Sequence, residues 1–353
     1  MRVAQGVTLS QVADELMPSL ANRDLVVIGA SAGGVETLKR VVAGLPADLG
    51  AAICIVLHIA PDSPSLLPRI LSRSGPLPCQ PAEDGQRLHI GKILVAPPDR
   101  HLVVEDDCVR VNTGPRENGH RPAVDVLFRT AADAKEGRVI GVVLSGTRGD
   151  GAAGLAAIKA HGGAAIVQDP AEALYPGMPV SALAHVVVDA VVPSEQVAET
   201  IAAMVRGEDL PPPAKSSKPQ LDPSTGETVT TICPDCGGVL SERAEAGFVL
   251  WECRVGHRYS PESLADAQAD DVESALWAAL RVLEDRSRLL ERMADQFERG
   301  AQARSARSFR NRAASAREQA LTVRSALAGA ADGTLRTLST REPGELEADL
   351  ARR

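Results

Sequence analysis

The run Leu25-Val26-Val27-Ile28-Gly29-Ala30-Ser31-Ala32-Gly33-Gly34 decides the fold. Its first half is apolar and β-branched and stops at small residues. It leads into Val35-Glu36-Thr37-Leu38-Lys39-Arg40-Val41-Val42. The first part reads as a buried strand and the second as a helix. Ser31 stands at the joint, above a helix N-terminus whose unpaired N–H groups and positive dipole end favour an alkoxide or an anion.

Working outward, strands and helices alternate. Ala51–Leu57 is a near-continuous apolar run ending on His58, as suits a strand buried on both faces. A short helix is expected at Ser65–Ser72, a strand at Lys92–Ala96, and a hairpin from His101–Val104 and Cys108–Asn112 around Asp106-Asp107. Pro122 fits the first turn of a helix running to about Ala134. Val139–Leu144 reads as a strand leading into Ser145-Gly146-Thr147-Arg148-Gly149-Asp150-Gly151. Then come a helix at Ala152–Ala160, strands at Ala164–Val167 and Val186–Val188, and a helix at Ser194–Arg206. The pattern predicts an α/β fold over residues 23–206, a doubly wound, mostly parallel, Rossmann-like sheet.

Ser31, His58 and Asp150 each follow the C-terminal end of a predicted buried strand. Those ends share one sheet edge, where crevices form. A serine, a histidine and a carboxylate there are the parts of an acyl-transfer triad, as nucleophile, base and orienting acid. Backbone N–H groups of the Ser31 and Ser145–Gly149 turns would hold the oxyanion, and Ala32, Thr147, Arg121 and Met178 are candidates for oxyanion or substrate contacts. Two other readings compete. A nucleotide- or peptide-binding module would want G-x-G-x-x-G, but Ser31 occupies the second glycine position and His58, not an acid, ends the next strand. A small-molecule esterase of the α/β-hydrolase kind fits Gly29-Ala30-Ser31-Ala32-Gly33 as G-x-S-x-G, but its order is Ser, Asp, His, whereas this chain has Ser, His, Asp.

Composition narrows the classes. In 353 residues a net charge of −8 gives no global attraction to nucleic acid or anionic lipid. No apolar run is long enough for membrane insertion, and residues 1–22, read as a tail, carry Asp14 and Glu15 rather than a secretory signal. Six cysteines in a chain of this size without a signal argue against a disulfide framework, so a cytoplasmic protein is expected.

Residues 24–206 resemble the catalytic domain of the chemotaxis protein-glutamate methylesterases, the CheB type. The resemblance rests on Ile28–Gly34, His58, His120-Arg121-Pro122-Ala123-Val124-Asp125-Val126-Leu127-Phe128, Ser145–Gly151 and Tyr175-Pro176-Gly177-Met178-Pro179, in that order. It implies hydrolysis of glutamyl methyl esters on methylated chemoreceptor helical bundles, with release of methanol, and in many members deamidation of receptor glutamines. It implies chemosensory signalling proteins as partners and no catalytic cofactor. Ala32 stands where the family commonly has threonine. Members usually carry a phospho-receiver domain, which residues 1–22 are too short to hold, so control by phosphorylation within this chain is not expected.

The C-terminal third differs in kind. Residues 207–230, with Pro211-Pro212-Pro213, read as a linker that few contacts cross. In 231–260, Cys233, Cys236, Cys253 and His257 form C-x2-C-x16-C-x3-H, the ligand set of a closed, structural zinc site in a small zinc-ribbon-like unit. Such a site is expected to be remote from Ser31 and without a part in hydrolysis. Residues 261–328 read as an α-helical hairpin breaking near Gly300, and 329–353 as a disordered tail. Seven arginines between Arg299 and Arg324 read as a solvated helical face or as a dock for an acidic partner.

Overall fold

The computed structural model describes residues 23–61, 65–208, 231–245 and 247–331. The expected N-terminal tail, most of the linker and most of the C-terminal tail lie outside these residues. The described residues up to Ala265 form one compact unit, and those from Asp266 a second.

The first unit is built on a seven-stranded sheet. Its strands are β1 (Leu25–Ala30), β2 (Ala52–Leu57), β3 (Cys79–Pro81), β4 (Ile93–Val95), β7 (Val139–Val143), β8 (Ala164–Gln168) and β9 (Ala190–Val192). The order is β3-β4-β2-β1-β7-β8-β9, and every neighbouring pair is parallel. A separate hairpin joins β5 (His101–Glu105) to β6 (Cys108–Asn112). Alternate residues of β1 and β2 serve opposite layers. Val26, Ile28, Ile53 and Ile55 pack with α1 (Gly34–Gly44), α2 (Leu67–Ser74) and α6 (Ser194–Val205). Leu25, Val27, Cys54 and Val56 pack with α3 (Val124–Lys135), α4 (Ala152–Ala160) and α5 (Gly177–His185). Burying each large aliphatic side chain contributes about 1.5–3 kcal/mol, which is how a chain so poor in aromatics closes two cores.

The structure departs from the sequence reading at three elements. Val186–Val188 is not a strand. Val186 and Val188 are buried, but the Ala165 N–H at the head of β8 is taken by the Asp189 carboxylate at 2.7 Å, and pairing begins only at Ala190. The edge strand Cys79–Pro81 was hidden by Pro78 and Pro81, which an edge tolerates. Helix α3 starts at Val124 rather than Pro122, because the N–H groups of Val124 and Asp125 are held by the Asp150 carboxylate.

Residues 231–260 carry a four-stranded antiparallel sheet of β10 (Thr231–Ile232), β11 (Val239–Glu245), β12 (Phe248–Cys253) and β13 (Arg258–Tyr259). Contrary to the expectation for the linker, this sheet packs on the α/β layer. Phe248 and Leu250 bury against Ala152 and Ala153 of α4, and the Phe248 ring lies 4.7 Å from that of His185.

Helices α7 (Pro261–Arg299) and α8 (Ala303–Ala331) follow, with Gly300, Ala301 and Gln302 between them. In the second unit they run antiparallel. Leu280 packs with Ala320 and Leu327, and Phe297 stacks on Phe309 at 5.1 Å. Arg310, Arg317 and Arg324 pair with Glu298, Glu291 and Glu284, three positions spaced seven residues apart on each helix. The arginine-rich face is therefore partly answered by α7 itself. Such exposed pairs set register more than stability. Among the described residues no helix is long and apolar enough to cross a membrane.

Helices α3 and α4 approach most closely at Gly154, where a Cβ would lie 2.5 Å from Phe128 Cβ and 3.0 Å from the Asp125 backbone. Gly154→Ala is expected to destabilise the chain by about 1–3 kcal/mol through overpacking, read as a lower urea midpoint at unchanged slope.

Candidate active site

Parallel register sets Ser31 beside His58. Ala30 pairs with Leu57, so the next residue on each strand is Ser31 and His58. The His58 N–H donates to the Ala30 carbonyl, and the Ser31 N–H donates to the Ser145 carbonyl just past β7, at 2.9 Å. The sheet reverses its winding between β1 and β7, the position at which open α/β sheets bind ligands.

Asp150 closes the other side and is fully buried. Its Oδ2 accepts from His58 Nε2 at 2.8 Å and from the Val124 N–H at 2.7 Å. Its Oδ1 accepts from the Asp125 N–H and from Asn118 Nδ2, both at 3.0 Å. The carboxylate thus caps α3, whose positive N-terminal end favours its charge. Asp125, in the first turn of α3, does the same for α4. Its Oδ1 accepts the N–H groups of Gly151 and Gly154 at 3.0 and 2.7 Å. Burial alone would raise the Asp150 pKa, but the His58 hydrogen bond and charge, aided by His120 and the Val124 N–H, hold it well below the usual carboxylate range. Burial first, and the facing Asp150 charge second, push Asp125 well above that range.

A carboxylate acceptor places the proton of neutral His58 on Nε2 and leaves the lone pair on Nδ1. Nδ1 is buried and has no hydrogen-bond partner among the described residues. The His120 ring stacks on His58 at 3.7 Å and 13°. Burial, and then the neighbouring His58 charge, lower its pKa to about 3, so His120 presents a neutral face to the base. Both rings line a cleft of ≈320 Å³ with Ile59, Pro61, Arg116 and Arg121.

The structure treats the four remaining candidates differently. Ala32 follows Ser31 directly, and its carbonyl accepts from Ser145 Oγ at 2.8 Å. Met178 is buried, and its N–H donates to the Gly146 carbonyl at 2.9 Å. A Cβ on Gly146 would lie 2.0 Å from Met178 Sδ and 2.9 Å from Ser31 Cβ, so only glycine fits behind the serine. Thr147 is exposed on the same turn. Arg121 lines the cleft, but its guanidinium donates to Asp99 Oδ1 and to the Thr113 and Gly114 carbonyls, which ties loops together. Sequence reasoning missed Asn118 and left His120, with Arg121 and Asp125, open between a buried helix start and a substrate contact. Asn118 carried no motif signal. His120 sat in a quoted motif, but nothing in the sequence showed a stack.

The donor atoms of Cys233, Cys236, Cys253 and His257 all lie within 4.8 Å of one another. His257 Nδ1 is 3.6 Å from Cys233 Sγ and 3.5 Å from Cys253 Sγ, and Cys236 Sγ is 3.7 Å from Cys253 Sγ. Tetrahedral zinc with sulfur at ~2.3 Å and nitrogen at ~2.0 Å requires edges of roughly 3.5–3.8 Å, so the set fits. Two turns, with Gly237 at φ 70° and Gly256 at φ 100°, present the ligands.

The similarity to known proteins lies in the α/β part of the chain. The CheB methylesterase family model matches residues 26–201. A Leptospira interrogans protein named as a protein-glutamate methylesterase/protein-glutamine glutaminase is 41% identical over 179 residues, covering 50% of this chain and 93% of that protein. A Pyrococcus horikoshii protein-glutamate methylesterase/protein-glutamine glutaminase is 36% identical over 199 residues, covering 55% and 54%. The crystal structure of the Thermotoga maritima CheB methylesterase catalytic domain is 31% identical, covers 51% of this chain and 98% of its own, and has a TM-score of 0.49. These relatives define a class of hydrolases. The chain belongs to the CheB methylesterase family.

A histidine kept neutral by burial opposes acid. His120 binds its proton in the unfolded chain near pH 6.5 and in the folded chain only near about 3. Its contribution is complete above the unfolded value and is lost as pH falls through that window. Between pH 7 and pH 5 the loss is about 2 kcal/mol. Urea melts of His120→Phe, which keeps a ring on His58, are expected to show a correspondingly smaller loss than wild type over that interval.

Proposed function

We propose that the chain hydrolyses glutamyl methyl esters on the helical bundles of chemoreceptors, releasing methanol, through a Ser31–His58–Asp150 acyl-enzyme. The observation that carries this is His58. It is anchored to buried Asp150 through Nε2, it has an unpartnered Nδ1, and it stands next to Ser31 in register. His58 Nδ1 takes the Ser31 proton as Oγ attacks the ester carbonyl, then gives it to the departing methoxide. Water reverses the sequence and frees the glutamate. Asp150 keeps the imidazole oriented and stabilises its charged form. Backbone N–H groups at Ala32 and Thr147 would receive the oxyanion, since that of Gly146 already donates to the Tyr175 carbonyl. The same acyl-enzyme would deamidate glutamine with ammonia as leaving group. Names of the relatives support both substrates. The setting is the cytoplasmic side of receptors, among chemosensory signalling proteins, with no catalytic cofactor and no nucleic acid.

We also infer that Cys233, Cys236, Cys253 and His257 hold one zinc ion. With four protein ligands it would supply folding energy to residues 231–260, which have little core of their own.

Ser31→Ala, His58→Ala and Asp150→Asn are each expected to lose at least about a thousandfold in kcat with the fold intact, and double variants to be little worse than the worst single. Methanol release from methyl-labelled receptor membranes checks this, and full activity of Ser31→Ala would exclude the mechanism. For the metal, elemental analysis of protein purified without chelator should give one zinc per chain, and Cys233→Ser should give much less.

A further inference from the structure

The triad acid and the Cys3His unit meet at one side chain. Asn118 is buried at 2% exposure, with a left-handed backbone at φ 53°. Its Nδ2 donates to Asp150 Oδ1 at 3.0 Å and to Asp125 Oδ2 at 2.8 Å. Its Oδ1 accepts the Ser260 N–H at 2.8 Å, and its own N–H donates to the Arg258 carbonyl at 2.7 Å. Only one orientation of the amide puts donors on both carboxylates and an acceptor on an N–H, so the network fixes it. Arg258 and Ser260 follow His257, the last of the four metal ligands, by one and three residues. A parallel bridge between Glu117 and Arg258 extends the seam.

The opposite flank of Asp150 is held from the same side. The Gly149 N–H donates to Ser263 Oγ at 3.3 Å. Ser263 and Ser260 are both fully buried, and Ser260 Oγ accepts the Ser263 N–H at 3.1 Å, capping the helix that begins at Pro261. Thus Asp150 receives a donor that residues 258–260 set in place, and its own loop is pinned by residue 263.

We propose that Asn118 is a positioning residue through which the Cys3His unit holds the Asp150 carboxylate, so that the metal state of residues 231–260 sets the turnover of the esterase. This rests on the reading of Ser31, His58 and Asp150 as the triad. It replaces the expectation of a metal site remote from the chemistry. Folding of the metal unit orders 257–260. That segment then fixes the Asn118 amide, and the amide fixes one oxygen of the carboxylate whose other oxygen holds His58. Releasing the segment removes the Ser260 and Arg258 partners of Asn118 together, so the amide no longer fixes Oδ1 of Asp150 and the carboxylate is held against the imidazole by the Val124 and Asp125 N–H groups alone.

The test uses the full chain, a p-nitrophenyl ester as substrate, and zinc removed by chelation and then restored. Chelation, Cys233→Ser and Asn118→Ala are each expected to lower kcat by about tenfold to a hundredfold. KM should stay within about twofold, as fits lost orientation rather than lost binding. The Asn118→Ala/Cys233→Ser double variant should fall no further than either single, because both act through one contact. The downfield proton resonance of the His58 Nε2–H bonded to Asp150 should shift or broaden in each case and return on adding zinc to the wild type. Multiplying losses in the double variant, or an unmoved resonance and unchanged kcat in the chelated protein, would overturn the proposal. If Asn118→Ala does not fold, Ser263→Ala serves, since it removes only the acceptor of the Gly149 N–H and the hydroxyl of one helical residue. Its kcat should be lower and less sensitive to chelation, and chelation sensitivity equal to wild type would count against the coupling. Ser31→Ala separates the two readings. If it is active, the triad itself is wrong. If it is inactive while wild-type turnover ignores the metal, only the coupling fails.

Discussion

Two helix N-termini face each other beneath the Ser31 edge, and each is capped by a carboxylate that belongs to the other's end. Asp150, just before α4, caps α3, while Asp125, in the first turn of α3, caps α4. Neither acid has an arginine or lysine as a hydrogen-bond partner. Backbone N–H groups cap both, and for Asp150 the His58 hydrogen bond and charge contribute most. That choice matters for chemistry. A partner arginine would neutralise Asp150, whereas a ring of N–H donors leaves an ionised oxygen directed at His58. The cost of two buried acids is offset unevenly. Asp150 has three donors and a histidine and is held charged. Asp125, next to that charge, is pushed toward the protonated form.

From this exchange the rest of the site follows. α3 and α4 can approach only because Gly154 has no side chain, and α4 can begin where it does only because Asp150 has already turned toward α3. His58 is then fixed on one face by Asp150 and on the other by the His120 ring. The serine is fixed separately, through the Ser145 carbonyl and the turn behind Gly146. Ser31 and His58 therefore rest on different supports that meet only at the sheet edge. Loosening the α3–α4 junction would disturb His58 and leave Ser31 in place.

How much of this is legible in the sequence depends on the range of the interaction. Ser31, His58 and Asp150 each follow an apolar run, so strand periodicity points to the edge on which they stand. The two-layer sheet is legible for the same reason, since Val26 and Val27 serve opposite cores in sequence order. Val186–Val188 shows the limit, because burial alternates there without a ladder and a single carboxylate, Asp189, decides where pairing starts. Asn118 shows a deeper one. Its partners lie 7, 32 and 142 residues away, and no spacing rule links them. The cluster of Cys233, Cys236, Cys253 and His257 is legible from C-x2-C and C-x3-H, but the face their sheet presents to the α/β layer is not. That face depends on Phe248 and Leu250 finding two alanines at the head of α4.

Those two alanines join the junction to the metal unit. Ala152 and Ala153 sit immediately after the Asp150-Gly151 turn, so Phe248 and Leu250 bury themselves on the very turn of helix that Asp125 caps. A larger residue at either position would lift the ribbon away. The polar seam of Asn118 and Ser260 would then lose its registry, since hydrogen bonds at 2.8–3.0 Å tolerate little displacement. The apolar contact supplies most of the attachment energy and the polar seam supplies its direction. A buried amide beside two carboxylates is costly if any one of its partners is missing. Such a seam is therefore formed as a whole or not at all, and this makes the small sheet of β10 to β13 part of the surroundings of Asp150 rather than an appendage to them.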